Sequence, residues 1–351
     1  MSLASDLKQA VTPRAALLVI GCLALQLLFI TSYVGALHNP KPKDVAFGVV
    51  VPGQAPPQMS KQLVEQLNGL PGDPLDAREV TTEAEAQKQI MDRKIDGALL
   101  VNPAGKQDTL LVASGGGAAL STALGTLSER FEASQQRTVK TVDVAPASPQ
   151  DFDGLSAFYL VVGWCVGGYL CASILAISAG SRAASPQRAG LRLGAMALYS
   201  ILGGLGGAVI VGPVLGALPG SVMALWGLGA LVVFAVGALT LALQSLTGIV
   251  GIGLAVLIVV IGGNPSAGGA FPAPMLPPFW QTIGPMLPPG AGTWAARSIA
   301  YFKGNAISGS LQVLAIWAII GTVVTMVMSS LRRPAVEGTE GPGATQTPQG
   351  P

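Results

Sequence analysis

Residues 155–179 read LSAFYLVVGWCVGGYLCASILAISA, a run without one charged side chain. A helix rises 1.5 Å per residue, so about 20 apolar residues cross the roughly 30 Å hydrocarbon core of a bilayer. This run is long enough to span, and its apolar residues fall on every side of a helix. In water such a helix would have no wet face.

The rest of the chain repeats the pattern. AALLVIGCLALQLLFITSYVGAL (15–37) precedes it, and LGAMALYSILGGLGGAVIVGPVLGAL (193–218), VMALWGLGALVVFAVGALTLAL (222–243), GIVGIGLAVLIVVIGG (248–263) and SGSLQVLAIWAIIGTVVTMVMSSL (308–331) follow. The fifth is short and suits a tilted or partly re-entrant segment. The predicted fold is a membrane bundle of about six transmembrane helices. Composition agrees: half of the residues are hydrophobic and 11% are charged, against about 25% in soluble domains. Mean hydropathy is +0.56. The net charge of +2 is too small for a nucleic-acid partner. Residues 15–37 could instead be a signal peptide cleaved after the small residues Val34 and Ala36. The apolar core is long for that, so a retained anchor is the reading adopted.

Positive residues set the orientation. Lys8 and Arg14 precede the first span, Arg182, Arg188 and Arg192 lie between the second and third, and Arg332 with Arg333 follow the last. Cytoplasmic loops carry the excess of Lys and Arg. The N-terminus (1–37 with its span), the short loop and the C-terminal tail are therefore expected inside. Residues 38–155 and 264–307 are expected outside. The tail 332–351 has the composition of a disordered end.

Residues 38–155 change character. KDVAFGVVV, IDGALLVN, DTLLVAS and VKTVDVA read as strands, and MSKQLVEQLNGL, TTEAEAQKQIMDRK and GGAALSTALGTLSERFEASQQ as helices, with Thr81 or Thr82 as a cap. Alternating strands and helices predict an extracellular α/β domain inserted between helices 1 and 2, large enough to fold alone.

Missing chemistry narrows the function. No GxxxxGK[ST] nucleotide loop occurs, and SGGGAAL (114–120) reads as a helix start that should accept alanine at Gly117. The three cysteines lie in apolar runs, and His38 is the only histidine, so no metal or other cofactor is expected. No ionisable side chain is expected inside a span, which argues against a proton-driven carrier. No catalytic constellation is visible, so the chain is not expected to be an enzyme.

Two stretches stand out. Gly203 with Gly207, and Gly212 with Gly216, make small-xxx-small steps around Pro213, which should kink the third span. They read as a packing or translocation wall, or as a face between subunits. Residues 264–307 are dense in proline and aromatics. Pro277, Pro278, Trp280, Pro288, Pro289, Trp294, Arg297 and Tyr301 mark two amphipathic pieces lying at the outer membrane interface, in contact with lipid, with Arg297 turned to headgroups or to the outer domain.

AQKQIMDRKIDGALLV (86–101), GGNPSAGG (262–269) and LPPFWQTIGPMLPPGAGTWAARSIAYFKG (276–304), in this order of spans and domain, resemble the ABC-2 type exporter permeases. The likeness is strongest to the phage-infection-protein-like branch found in Gram-positive bacteria, including actinobacterial membrane proteins. The resemblance implies a permease subunit that forms a homo- or heterodimer. It also implies a separate cytoplasmic ATPase partner that meets the loop of Arg182, Arg188 and Arg192. It further implies outward movement of an amphiphilic or lipid-like substrate. The other reading is a membrane-anchored binding or envelope-assembly protein without transport.

Overall fold

The computed structural model describes residues 12–53, 56–180, 183 and 185–331. Lys8, Arg182, Arg332, Arg333 and the tail lie outside the described residues. Five helices are long and apolar enough to cross a membrane: α1 (Pro13–Leu37), α5 (Ser156–Ala179), α6 (Pro186–Val209, continued to Val214 by a π turn), α7 (Val222–Thr247) and α11 (Ser308–Ser330). The expected sixth, α8 (Val250–Ser266), is shorter. It leaves the end of α7, passes through a π stretch at Leu257–Gly263, and ends at Asn264–Ser266. By helix length and composition the chain is a multi-pass membrane protein.

Helix α7 is the axis of the bundle. It touches α5, α6, α8 and α11, and also α10 (Pro288–Tyr301). Three neighbours each lay a glycine on its backbone. A Cβ at Gly168 would stand 2.8 Å from the Val233 carbonyl oxygen, one at Gly204 2.5 Å from the Ala230 nitrogen, and one at Gly321 2.5 Å from the Ala238 carbonyl carbon. Close backbone approach through small residues is how helices associate where lipid removes the hydrophobic drive. Helix α1 stands aside, resting chiefly on the end of α8, where the Ser32 hydroxyl donates to the Ile261 carbonyl. Most of its apolar side chains, Leu17 to Ile30 among them, are exposed.

The glycine steps divide. Gly207 receives the Trp164 indole from α5, whose Nε1 donates to the Gly203 carbonyl at 3.2 Å. Gly204, one residue from the predicted step, meets α7. Pro213 falls in the closing π turn, where Leu215 donates to Ile210 at 2.9 Å. It ends the helix rather than kinking its middle. Gly212 faces Val222, and Gly216 (φ 62°) turns the chain beyond the helix.

The loop before α6 is shorter than the sequence predicts. Ser185 caps the helix by accepting from Arg188 N at 3.3 Å, and Pro186 opens the first turn. Proline's fixed φ and missing N–H suit that position. Arg188 and Arg192 are therefore helical and lie within a span, which corrects the expectation of spans free of ionisable residues. Arg192 is buried and donates from Nη2 to the Ala179 and Gly180 carbonyls at 2.6 and 2.7 Å, closing the C-terminus of α5. Arg188 stays exposed.

The α/β unit holds a five-stranded sheet in the order β2-β1-β3-β4-β5. The strands are β1 (Val45–Val50), β2 (Leu75–Val80), β3 (Gly97–Leu100), β4 (Gln107–Val112) and β5 (Thr138–Asp143). Only the β3–β4 pair is antiparallel. Helices α2 (Pro57–Asn68), α3 (Glu83–Met91) and α4 (Ala118–Ser134) connect them, and Thr82 is the cap of α3. Strand β2 was not expected from the sequence. It is an edge strand burying Leu75, Ala77 and Val80 and exposing Asp76, Arg78 and Glu79. Its polar half hides the β signal, and the Asn68 amide holds it through both backbone groups of Ala77.

Candidate functional site: the junction cavity

The α/β unit is seated on the bundle, and both surfaces are shaped for the contact. Two residues after α3, Arg93 stands at φ 57°, a left-handed backbone unusual for a side chain of this size. That turn aims Arg93 at α10. Its Nη1 donates to the Trp294 carbonyl at 2.9 Å and to Ser298 Oγ at 2.8 Å. The guanidinium lies 3.3 Å over the Trp294 ring and 4.7 Å from that of Phe302. Asn305 donates to the Met91 carbonyl at 3.0 Å from the other side.

The glycine cluster 115–117 completes the seat. A Cβ at Gly115 would stand 2.4 Å from the Tyr301 ring, and one at Gly117 2.5 Å from Pro272. Gly117 also has φ 133°, so alanine there meets both strain and a clash, contrary to the expectation of tolerance. Tyr301 Oη donates to the buried Asp151 carboxylate at 2.5 Å, and the Ser156 amide donates to the same carboxylate at 2.7 Å.

The residues expected at a membrane interface split into two sets. Helix α9 (Pro278–Ile283) is superficial, with Phe279 63% exposed and Trp280 partly buried behind Pro277 and Pro278. Helix α10 is buried within protein, including Pro288, Pro289, Arg297 and Tyr301; only Trp294 keeps an open edge. Small residues explain the difference. A Cβ at Gly292 would stand 2.7 Å from Val161, and one at Gly290 2.1 Å from the Gly284 carbonyl oxygen. GAGTWAA (290–296) was the available signal for close packing. Of the two expected surroundings of Arg297, headgroups or the outer domain, the side chain reaches the second, donating to Gly154 of the 38–155 segment. It is 3% exposed and donates to the carbonyls of Gly268, Gly269 and Gly154 at 2.6, 2.8 and 3.1 Å.

Between the unit and the bundle lies a cavity of about 560 Å³. Ile90, Arg93, Lys94, Ile95, Asp96 and Leu120 line it from the unit. Ser266, Pro272, Met286, Trp294, Arg297, Phe302, Ser310 and Val313 line it from the bundle. The walls are chiefly apolar with a few convergent polar groups, and the volume lies within the roughly 300–1,000 Å³ usual for small-molecule sites. Burial first, and then the charge of Arg297, push Arg93 down to about 9, against the pull of Asp96. Burial pushes Asp96 up to about 6, opposed by Arg93. Among the described residues no group of His, Cys, Asp and Glu could hold a metal ion.

Of the residues singled out by sequence, the cavity gathers Trp294 and Arg297. Tyr301 packs on Gly115 and Asp151 outside the cavity lining, and Arg188, Arg192 and the glycines of α6 belong to other places. Arg93, Asp96 and Gly115 were not singled out. Arg297 is the lone charge between residues 264 and 302, and that isolation in an apolar run was the legible mark of a buried cation. No family model matches the chain, and no curated protein matches it in sequence.

Proposed function

We propose that this chain is the permease subunit of an ABC-2 type exporter that moves an amphiphilic or lipid-like substrate outward. In this reading it acts as a homo- or heterodimer with a separate cytoplasmic ATPase. The observation that carries the reading is the cavity, a largely apolar, half-open chamber formed where an α/β unit meets one end of a membrane bundle. Such a chamber suits a ligand with an apolar body and one polar group. With the first span counted from Ala15, Arg188 and Arg192 are the charged residues of the five long spans, and both lie in the first turns of α6. Neither is placed for a proton relay through the bilayer, so energy from a partner is the simpler account.

Arg188 is exposed beside the short loop, whereas Arg192 is occupied by the end of α5. The ATPase is expected to touch Arg188. Charge reversal, Arg188→Glu, should reduce co-purification of an ATPase with the full-length protein while membrane yield stays normal, since exposed charges contribute little to stability. Retention of the ATPase by Arg188→Glu would remove that contact. Absence of any ATPase, with no export defect on deletion, would favour the binding or assembly protein.

A further inference from the structure

We infer that the junction cavity selects amphiphiles carrying an anionic head group, a carboxylate or a phosphate, held between Arg93 and Arg297. The inference rests on the reading of the cavity as a substrate site and adds the chemistry that the substrate must carry.

The two arginines are unusual in what they lack. Among the described residues, neither has a carboxylate within ion-pair distance; the ion pairs present join Lys94 to Asp92 and Arg137 to Asp108 and Glu132. Buried cations are ordinarily paired, because the loss of hydration otherwise goes uncompensated. Arg297 spends its hydrogen bonds on carbonyl oxygens, with the charge of Asp151 acting on it only from beyond ion-pair distance, and its Nε has no hydrogen-bond partner among the described residues although the side chain is buried. Arg93 makes both of its hydrogen bonds from the single nitrogen Nη1. A guanidinium presents five N–H donors in a planar fork matched to carboxylate and phosphate oxygens. Both residues line the same chamber, together with Lys94 and a single carboxylate, Asp96.

The surroundings set the rest of the ligand. Ile90, Leu120, Met286 and Val313 give the chamber apolar walls. A free inorganic anion would find charge there but nothing for those walls, and a neutral amphiphile would leave the arginines unpaired. A molecule joining one anionic group to an apolar body satisfies both.

The test uses full-length protein in phosphatidylcholine nanodiscs at pH 8. The probes are cis-parinaric acid and its methyl ester, which has the same chain without the charge. Energy transfer from tryptophan reports binding, with empty nanodiscs as the baseline. The acid should bind at least tenfold more tightly than the ester. Arg93→Gln should bring the acid to the affinity of the ester, and Ser310→Phe, which adds a bulky ring to the chamber's bundle wall, should weaken binding of both. Equal binding of acid and ester, both weakened in Ser310→Phe, would overturn the anion selectivity and leave the amphiphile site standing. Binding unchanged by Ser310→Phe would overturn the site itself. The ester comparison needs no substitution, so it decides the inference even where Arg93→Gln loosens the docked unit.

Discussion

Arg93 and Tyr301 show how single residues join two parts of the molecule. Each reaches across the junction, Arg93 onto Trp294, Phe302 and Ser298, and Tyr301 onto the space left by Gly115. Tyr301→Phe would leave the buried Asp151 carboxylate without one of its donors. The expected loss is about 1–3 kcal/mol, read as a lower midpoint of thermal unfolding in lipid nanodiscs. Glycine effects should follow surroundings rather than residue type. Gly125 on α4 has open space around its Cβ position, so Gly125→Ala should stabilise the helix by about 0.5–1 kcal/mol. Gly117→Ala should destabilise, because Pro272 occupies the position the methyl would take. If both substitutions were silent, the tight seat described for residues 115–117 would be wrong. These contacts were poorly legible in the sequence. SGGGAAL reads as a helix start, which it is, but the partners of its glycines lie more than a hundred residues away.

At the scale of elements, long apolar runs were easy to read and short or two-faced ones were not. The five long spans follow from helix length and apolarity alone. Strand β2 escaped because half of its residues are exposed and polar, and the buried course of α10 escaped because prolines and aromatics suggested an interface. Of the glycine steps of α6, Gly207 does meet a neighbour, Trp164 of α5, but the closest approach to α7 is made by Gly204, since a sequence spacing does not say which neighbour a face will meet. Gly204→Leu should therefore disrupt the bundle more than Gly203→Leu, measured as the yield of monodisperse protein. Within the α/β unit, Glu132 on α4 sits buried beside Asp108 and Arg137. Burial, and then Asp108, push Glu132 from an ordinary 4.5 to about 7. Burial alone would raise Asp108, but hydrogen bonds from Arg137 and the Asn102 amide hold it below the usual range. Between pH 4.5 and about 7 the folded unit thus retains a proton that the unfolded chain has released. The stability this gives is full below that window and is lost as pH rises through it. Hydrogen-exchange protection of β4 and α4 should fall from pH 5.5 to pH 8, and Glu132→Gln should flatten the profile. The contribution of Asp108 belongs to lower pH and has the opposite sign.

At the scale of the whole molecule, the boundary between membrane bundle and α/β unit is not a clean one. Met275, from the segment between α8 and α9, is buried in the core of the sheet with Phe271 packed beside it. The Lys43 amide donates to the Pro274 carbonyl at 2.9 Å. The sequence suggested a domain folding by itself, but part of its core arrives from residues more than a hundred positions downstream. Met275→Ala should cost about 2–5 kcal/mol, as methionine truncation in a core does. The loss should appear as reduced exchange protection in β1 and β4 rather than in α7. The same shared boundary borders the cavity on which the functional account depends. Its most direct test is nucleotide-dependent export of a fluorescent fatty acid by proteoliposomes holding the chain and its co-purified ATPase. The account predicts transport that requires nucleotide and falls when Ser310→Phe narrows the chamber. Transport without nucleotide, or transport undiminished in the narrowed variant, would contradict it.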